Sequence, residues 1–156
     1  MRSFILSVLF TITFFVSFSQ ELKKYSFEQV DSLMIIEERP VAIFLHTEWC
    51  KYCLKMENIT FKNDSLTRLL NSKFYFISFD AESRDDVKYS GNVFKFLPKG
   101  NEGIHEMAFE LGTINGEIKF PTFCILKENN IVFQNGGFMN SNELILVLEK
   151  ISKEKG

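Results

Sequence analysis

The sequence has little of several things, and each shortage excludes something. It has only three cysteines, three prolines and two histidines in 156 residues. So few cysteines cannot knit a small disulfide framework, and two histidines leave little with which to build a metal centre. Positive charge is not in excess either: the formal net charge is −2, which offers no electrostatic footprint for nucleic acid. Lys23, Lys24 and Lys51 are scattered and read as part of a solvated face. No internal repeat or low-complexity linker divides the chain, and 46% hydrophobic content argues against disorder. One domain with a real core is the expectation, over residues 20–156.

The single long apolar run is N-terminal. Arg2 supplies a positive start, Phe4 to Phe18 is almost continuously apolar or hydroxylic, and Ser17-Phe18-Ser19 is a small-x-small site ahead of Gln20. Residues 1–19 therefore read as a signal peptide cleaved near Ser19-Gln20. The rival is an uncleaved anchor, but about fifteen residues at ~1.5 Å each fall short of a ~30 Å hydrocarbon core. No cysteine follows the run to accept a lipid. Loss of Arg2 takes the net charge to −3. Export to the periplasm, or another space outside the cytoplasm, would place the cysteines where disulfides persist.

Two of the three cysteines stand together as Cys50-Lys51-Tyr52-Cys53, after Trp49 and the apolar run Val41 to Leu45. Thiols at this spacing can close a small disulfide reversibly, or serve as half of a zinc site. The surroundings favour redox chemistry. Val41 to Leu45 predicts a buried strand, and a helix is expected from Cys50 to about Asn58, with Asn63 capping a second one. Phe74 to Asp80 predicts another strand, with Phe74 and Phe76 on one face and Tyr75, Ile77 and Phe79 on the other. A strand, helix, strand order implies a right-handed parallel crossover.

Around this unit, a helix from Ser26 to about Glu38 is expected, ended by Pro40. Val87 to Phe96 predicts a hairpin about Ser90-Gly91-Asn92, Pro98 to Gly103 reads as turn material, and Ile104 to Leu111 as a short helix ending at Gly112. A second hairpin, Phe123 to Gln134, and a final helix capped by Asn140 or Ser141 close the chain.

A strand delivering Trp-Cys-x-x-Cys to a helix start, a second strand, then Phe120-Pro121-Thr122 entering a hairpin and a terminal helix resembles the thioredoxin superfamily. The resemblance covers nearly all of residues 26–152. The wording from Trp49 to Glu57, with Thr60-Phe61 and the Phe74 to Asp80 strand, is similar to exported thioredoxin-like proteins and to the C-terminal domain of the disulfide reductase DsbD. It implies an α/β thioredoxin fold, a central mixed sheet flanked by helices, here with a hairpin-plus-helix insertion over residues 86–112 before the cis-Pro strand. It also implies a cis bond before Pro121, against the competing reading that Pro121 merely starts a strand. Substrate would lie in a groove of Trp49, Lys51, Tyr52, Phe120 and Pro121, and Gly136-Gly137 falls beside it or is simply a flexible turn.

In such a protein Cys50, at a helix N-terminus, is the nucleophile and Cys53 resolves the mixed disulfide. No cofactor or metal is needed beyond the cysteine pair. Partners would be protein thiols and disulfides, with a membrane-bound or soluble thiol electron donor and no nucleic acid, and a monomer is expected. Lys51 places positive charge beside the Cys50 thiolate. Cytosolic thioredoxins keep a buried acid where this chain has Phe44, and its lysine partner where it has Phe76. Glu48, or a water, is then the candidate proton acceptor for Cys53, unless Glu48 is only an exposed strand-end acid. Cys124 reads as a small buried hydrophobe, with a zinc site of Cys50, Cys53, Cys124 and His46 as the alternative. His46 could tune the thiolate or be structural, and His105 carries no signal.

The expected activity is thiol-disulfide exchange, as an exported protein-disulfide reductase. A disulfide oxidase or isomerase, and a non-catalytic chaperone or binding module on the same fold, are the alternatives.

Overall fold

A computed structural model describes residues 20–153. The expected signal segment lies outside the described residues. Helix α1 (Phe27–Met34) opens on a reciprocal cap: the Ser26 hydroxyl accepts from the Gln29 N–H at 3.2 Å, and the Gln29 side chain accepts from the Ser26 N–H at 2.8 Å. The helix ends before the expected Glu38. Ile35 and Ile36 are exposed, so the apolar spacing that suggested a longer helix finds no core to face.

Strand β1 (Val41–His46) leads to α2 (Lys51–Asn58), a 3-10 turn at Thr60–Lys62, α3 (Asp64–Lys73) and β2 (Tyr75–Asp80). As the strand, helix, strand order required, β1 and β2 pair in parallel, with His46 level with Asp80. Asn63 caps α3 by accepting from the Leu66 N–H at 3.0 Å. The chain returns to the sheet at β9 (Thr122–Lys127) and β10 (Asn130–Gly136), both antiparallel to their neighbours, giving the order β10-β9-β1-β2. Helix α5 (Ser141–Lys153) follows, capped by Asn140, whose side-chain oxygen accepts from the Asn142 and Glu143 N–H groups.

Between β2 and β9 the chain differs from expectation. The hairpin of β3 (Val87–Tyr89) and β4 (Asn92–Phe94) is present, turning through Ser90 and Gly91, both at positive φ. Pro98 to Gly103, read as turn material, belongs to a second ribbon of β5 (Phe96–Lys99) and β6 (Glu102–His105). Proline is tolerated there because the ribbon is two-stranded and every strand is an edge. Gly103 is needed, since a Cβ at that position would lie 2.5 Å from the Leu97 carbonyl oxygen and would press into the Phe96 ring. Helix α4 then spans Glu106–Gly112, starting later than Ile104 because His105 is its cap, its Nδ1 accepting from the Met107 N–H at 3.1 Å. A third ribbon, β7 (Thr113–Ile114) and β8 (Glu117–Ile118), turns through Asn115-Gly116 at φ 52° and 81°. The Asn-Gly pair is a hairpin signal legible in the sequence itself.

The core is divided by the sheet. One face carries Ile43, Leu45, Tyr75, Ile77, Cys124 and Leu126 against α1 and the inserted Val87, Tyr89, Met107 and Leu111. The other carries Ala42, Phe44, Phe76, Phe123 and Ile125 against Cys53 and Met56 of α2, Leu66 and Leu70 of α3, and Leu144 and Leu148 of α5. Alternation along each strand sets this division, and a one-residue slip would exchange the faces. Among the described residues no helix is long and apolar enough to cross a membrane.

Candidate functional site

Every part of the site lies at one end of the sheet. Because β1, β2 and β10 run in one direction and β9 in the other, the C-terminal ends of the first three meet the N-terminal end of the fourth. Cys50 follows β1 and Pro121 precedes β9, so the topology brings together two segments 71 positions apart in sequence.

Cys50 is the N-cap of α2, its backbone extended, and its Sγ accepts from the Cys53 N–H at 3.1 Å. The amides at a helix start are unpaired donors and carry the positive end of its dipole. A thiolate on Cys50 is therefore stabilised by the N–H that the sulfur already accepts from and by the dipole. No acidic residue in the first turn opposes this, and Lys51 adds positive charge. The two sulfurs are joined as a disulfide, with Cα atoms 5.2 Å apart. Cys50 is 5% exposed and Cys53 1%, so the second cysteine lies a turn further in, among apolar side chains.

The floor beneath the pair is aromatic. Phe61 meets Phe44 at 4.9 Å and Phe76 at 5.1 Å between ring centroids. Phe44 and Phe76, where the cytosolic pattern has an acid and a lysine, are joined in this chain through a third ring. His46 stacks on Phe44 at 5.3 Å. Burial pushes the His46 imidazole below its ordinary value, against the opposing pull of Glu57 and Asp80, with Lys24 adding to the lowering.

Above the pair, the Phe120–Pro121 peptide is cis, and the Pro121 carbonyl accepts from the Gly137 N–H at 2.7 Å. Gly137 has φ 125°, a conformation that side chains disfavour, which gives the second glycine of Gly136-Gly137 a backbone reason to be there. Trp49 is 66% exposed; its ring meets Phe120 edge-on at 6.2 Å, and its Nε1–H donates to Glu82 Oε1 at 3.0 Å. Tyr52, 63% exposed, faces Phe138 at 6.3 Å, and the Lys55 ammonium lies 4.7 Å from the same ring.

The structure thus brings Cys50, Cys53, Trp49, Tyr52, Phe120 and Pro121 to one place, with Lys51 exposed at the start of α2. Phe138, Lys55 and Glu82 were missed. Phe138 follows directly on the two glycines already singled out, so its neighbourhood was signalled; Glu82 and Lys55 had no signal. Glu48 is exposed and lines a cleft of about 350 Å³ with Asp80, Glu82, Arg84 and residues of the β5–β6 ribbon. Cys124 faces the other side of the sheet, so the zinc set weighed from the sequence is not brought together. Its thiol is pushed up to about 12 by burial. His105 is fully buried, its Nε2 3.1 Å from the Asp85 carbonyl, and pins the insertion. Among the described residues no cluster of three or more histidines, cysteines or carboxylates could hold a metal ion.

The sequence matches the family model of the thioredoxin-like domain over residues 28–152, and the chain belongs to that family. No curated protein matches it. Among solved structures, a thioredoxin from Thermus thermophilus is similar with a TM-score of 0.62 and 21% identity, over 88% of this chain and 92% of that one. A DsbH oxidoreductase gives 0.59 and 14%, over 86% and 88%. A thioredoxin-fold protein from Helicobacter pylori gives 0.56 and 15%, over 85% and 75%. At these identities the likeness is one of fold. Together with the Cys50–Cys53 disulfide, family membership makes the protein a thiol-disulfide oxidoreductase.

Proposed function

We propose that the protein is exported and works outside the cytoplasm as a disulfide reductase of other proteins. The observation that carries the redox reading is the Cys50–Cys53 disulfide on the cap of α2, at the same end of the sheet as the cis Phe120–Pro121 peptide. In the reduced protein the Cys50 thiolate attacks one sulfur of a substrate disulfide; a mixed disulfide forms and the other substrate sulfur leaves as a thiol once protonated. Cys53 loses its proton and attacks Cys50, the mixed bond breaks, and the second substrate thiol departs. Two electrons have passed to the substrate, and the Cys50–Cys53 disulfide remains. A thiol donor, membrane-bound or soluble, restores the dithiol by the same exchange in reverse. No further cofactor enters these steps, and one chain suffices for them.

Export rests on Arg2, the apolar run and the small-residue site before Gln20. N-terminal sequencing of the mature protein tests it: Gln20 at or near the first position supports export with cleavage, and a retained Met1 overturns it. Direction rests on the resemblance to exported reductases, against Lys51, whose charge favours the thiolate and so the oxidising direction. The Cys50–Cys53 potential measured against glutathione decides: a value below that of the glutathione pool supports the reductase. A value well above it, with about 30 mV standing for ~1.4 kcal/mol in this couple, assigns an oxidase or isomerase instead. A chaperone using the same groove without exchange would bind partners equally well as Cys50→Ser, and a Cys53→Ser protein would then trap none of them.

A further inference from the structure

The groove across the end of the sheet carries opposite charge at its two ends, which neither the fold nor the disulfide requires. Following the strand order, Phe138 comes after β10, Pro121 before β9, Cys50 after β1 and Glu82 after β2. At the β10 end, Lys51 and Lys55 stand four apart on α2 and so on one face. Lys55 is held against the Phe138 ring at 4.7 Å, and Tyr52 completes an apolar base. At the β2 end, the cleft of about 350 Å³ presents Glu48, Asp80, Glu82 and Glu102 with a single cation, Arg84. The Arg84 guanidinium lies 4.6 Å from the Phe96 ring, and Glu82 is hydrogen-bonded to Trp49. The acidic end is therefore continuous with the Trp49–Phe120 side of the redox pair, and the inserted β5–β6 ribbon, through Phe96, Glu102 and Gly103, forms part of it.

We propose that this groove selects its disulfide partners by charge order: an extended segment with an acidic residue on one side of the reacting cysteine and a basic residue on the other. The acid meets Lys51 and Lys55 over the Tyr52–Phe138 base, and the base enters the cleft roofed by the insertion. This rests on the oxidoreductase reading and adds the class of partner. Both ends are exposed, so each pair is modest in water and screened by salt, but together they orient the segment and favour its encounter.

The test uses three peptides, each with its one cysteine as a mixed disulfide with 2-mercaptoethanol: acid before the cysteine and base after it, the reverse order, and a neutral version. The reduced protein releases peptide thiol and 2-mercaptoethanol and becomes the Cys50–Cys53 disulfide, so the exchange balances. At low salt one charge order should exceed its reverse in kcat/KM by about three- to tenfold, with the neutral peptide between them. The ratio should collapse toward one at 1 M salt, where the Debye length is about 3 Å. In Lys55→Glu combined with Glu102→Lys the preferred order should reverse. Lys55→Met, which keeps a chain over Phe138, should weaken the preference without reversing it. Equal rates for the two orders, or a preference indifferent to salt and to these substitutions, overturns the proposal while leaving the oxidoreductase intact. Failure of all three peptides to exchange with Cys50 overturns the oxidoreductase reading, and the proposal with it.

Discussion

The start of α2 and the middle of β9 each hold cysteine in a nearly dry environment, and the contrast separates burial from reactivity. Cys50, Cys53 and Cys124 are 5%, 1% and 0% exposed. Burial alone raises a thiol's pKa, and at Cys124 it acts alone, with strand neighbours that offer the sulfur no donor and push it up to about 12. Cys50 has the same apolar surroundings on most sides but caps a helix, so the Cys53 N–H reaches its sulfur and the dipole points at it. The reactive thiol is made by backbone position, at a chain reversal that β1 and α2 create together. Three residues of one type, divided between the two faces of one sheet, thus become a redox pair and a packing unit.

The largest effect expected from this contrast is on exchange itself. Cys50→Ser should abolish turnover of a protein disulfide, because the nucleophile is gone. Cys53→Ser should retain the first attack and accumulate mixed disulfides through Cys50. Cys124→Ser should leave the exchange rate within about twofold. Its cost should fall on stability instead, about 1–3 kcal/mol in denaturant unfolding, because a fully buried hydroxyl replaces the thiol. Loss of exchange in Cys124→Ser, with the fold intact by circular dichroism, would break the comparison. Next in size is the aromatic floor. Phe44→Asp, which introduces the acid of the cytosolic pattern, should cost upward of about 4 kcal/mol or prevent folding, since it removes a buried ring that contacts Phe61 and buries a carboxyl in its place. Phe44→Leu should fold and exchange, losing about 1–3 kcal/mol.

Much of this could be read in the residues because local and long-range signals agreed. The Val41 to Leu45 run, the Asn63 and Ser26 caps and the alternation from Phe74 to Phe79 each specify an element unaided, and the position of Cys50 follows from the first of them. The insertion resisted reading for a physical reason: its ribbons are three or four residues long at most, shorter than the repeat needed to show a period, and each is stabilised by contacts distant in sequence. His105 looked like background because its value lies in capping α4 and reaching the Asp85 carbonyl. Glu82, likewise, becomes part of the site only through Trp49, 33 residues away. Pairwise contacts of that kind have no spacing rule, whereas helix caps and strand alternation do.

A smaller effect sharpens the same contrast by titration. In the oxidised protein Cys124 is the free thiol, held protonated to about pH 12 when folded, whereas an unfolded cysteine ionises near its ordinary value of 9.0. The folded pKa is the higher one, so the stabilisation it provides is complete below pH 9 and is lost as pH rises from 9 toward 12. By pH 10 the loss should be about 1.4 kcal/mol relative to pH 8. Tyr89, also pushed up to about 12 from 10.0, begins to add its own loss near pH 10, but equally in parent and variant, so the difference between the two profiles isolates the thiol. Denaturant unfolding at pH 8, 9 and 10 should show this decline in the parent and a flatter profile in Cys124→Ala. Parallel profiles would mean that the β9 thiol is not held protonated.

The smallest expected effect concerns how Cys53 loses its proton. Glu48 is exposed, beside Glu82 and Arg84 in the acidic cleft, while Cys53 is all but sealed within an apolar cluster. Glu48 lines the acidic cleft, outside the apolar cluster that encloses the thiol, so it is poorly placed to take the proton of Cys53. Glu48→Gln should then change the rate at which Cys53 resolves a preformed mixed disulfide by less than about twofold between pH 6 and 8, far below the ~10²–10⁴-fold of an effective general base. A fall of tenfold or more, with loss of the pH dependence, would make Glu48 the base after all. It would also tie the acidic cleft to the chemistry of the inner thiol as well as to the choice of partner.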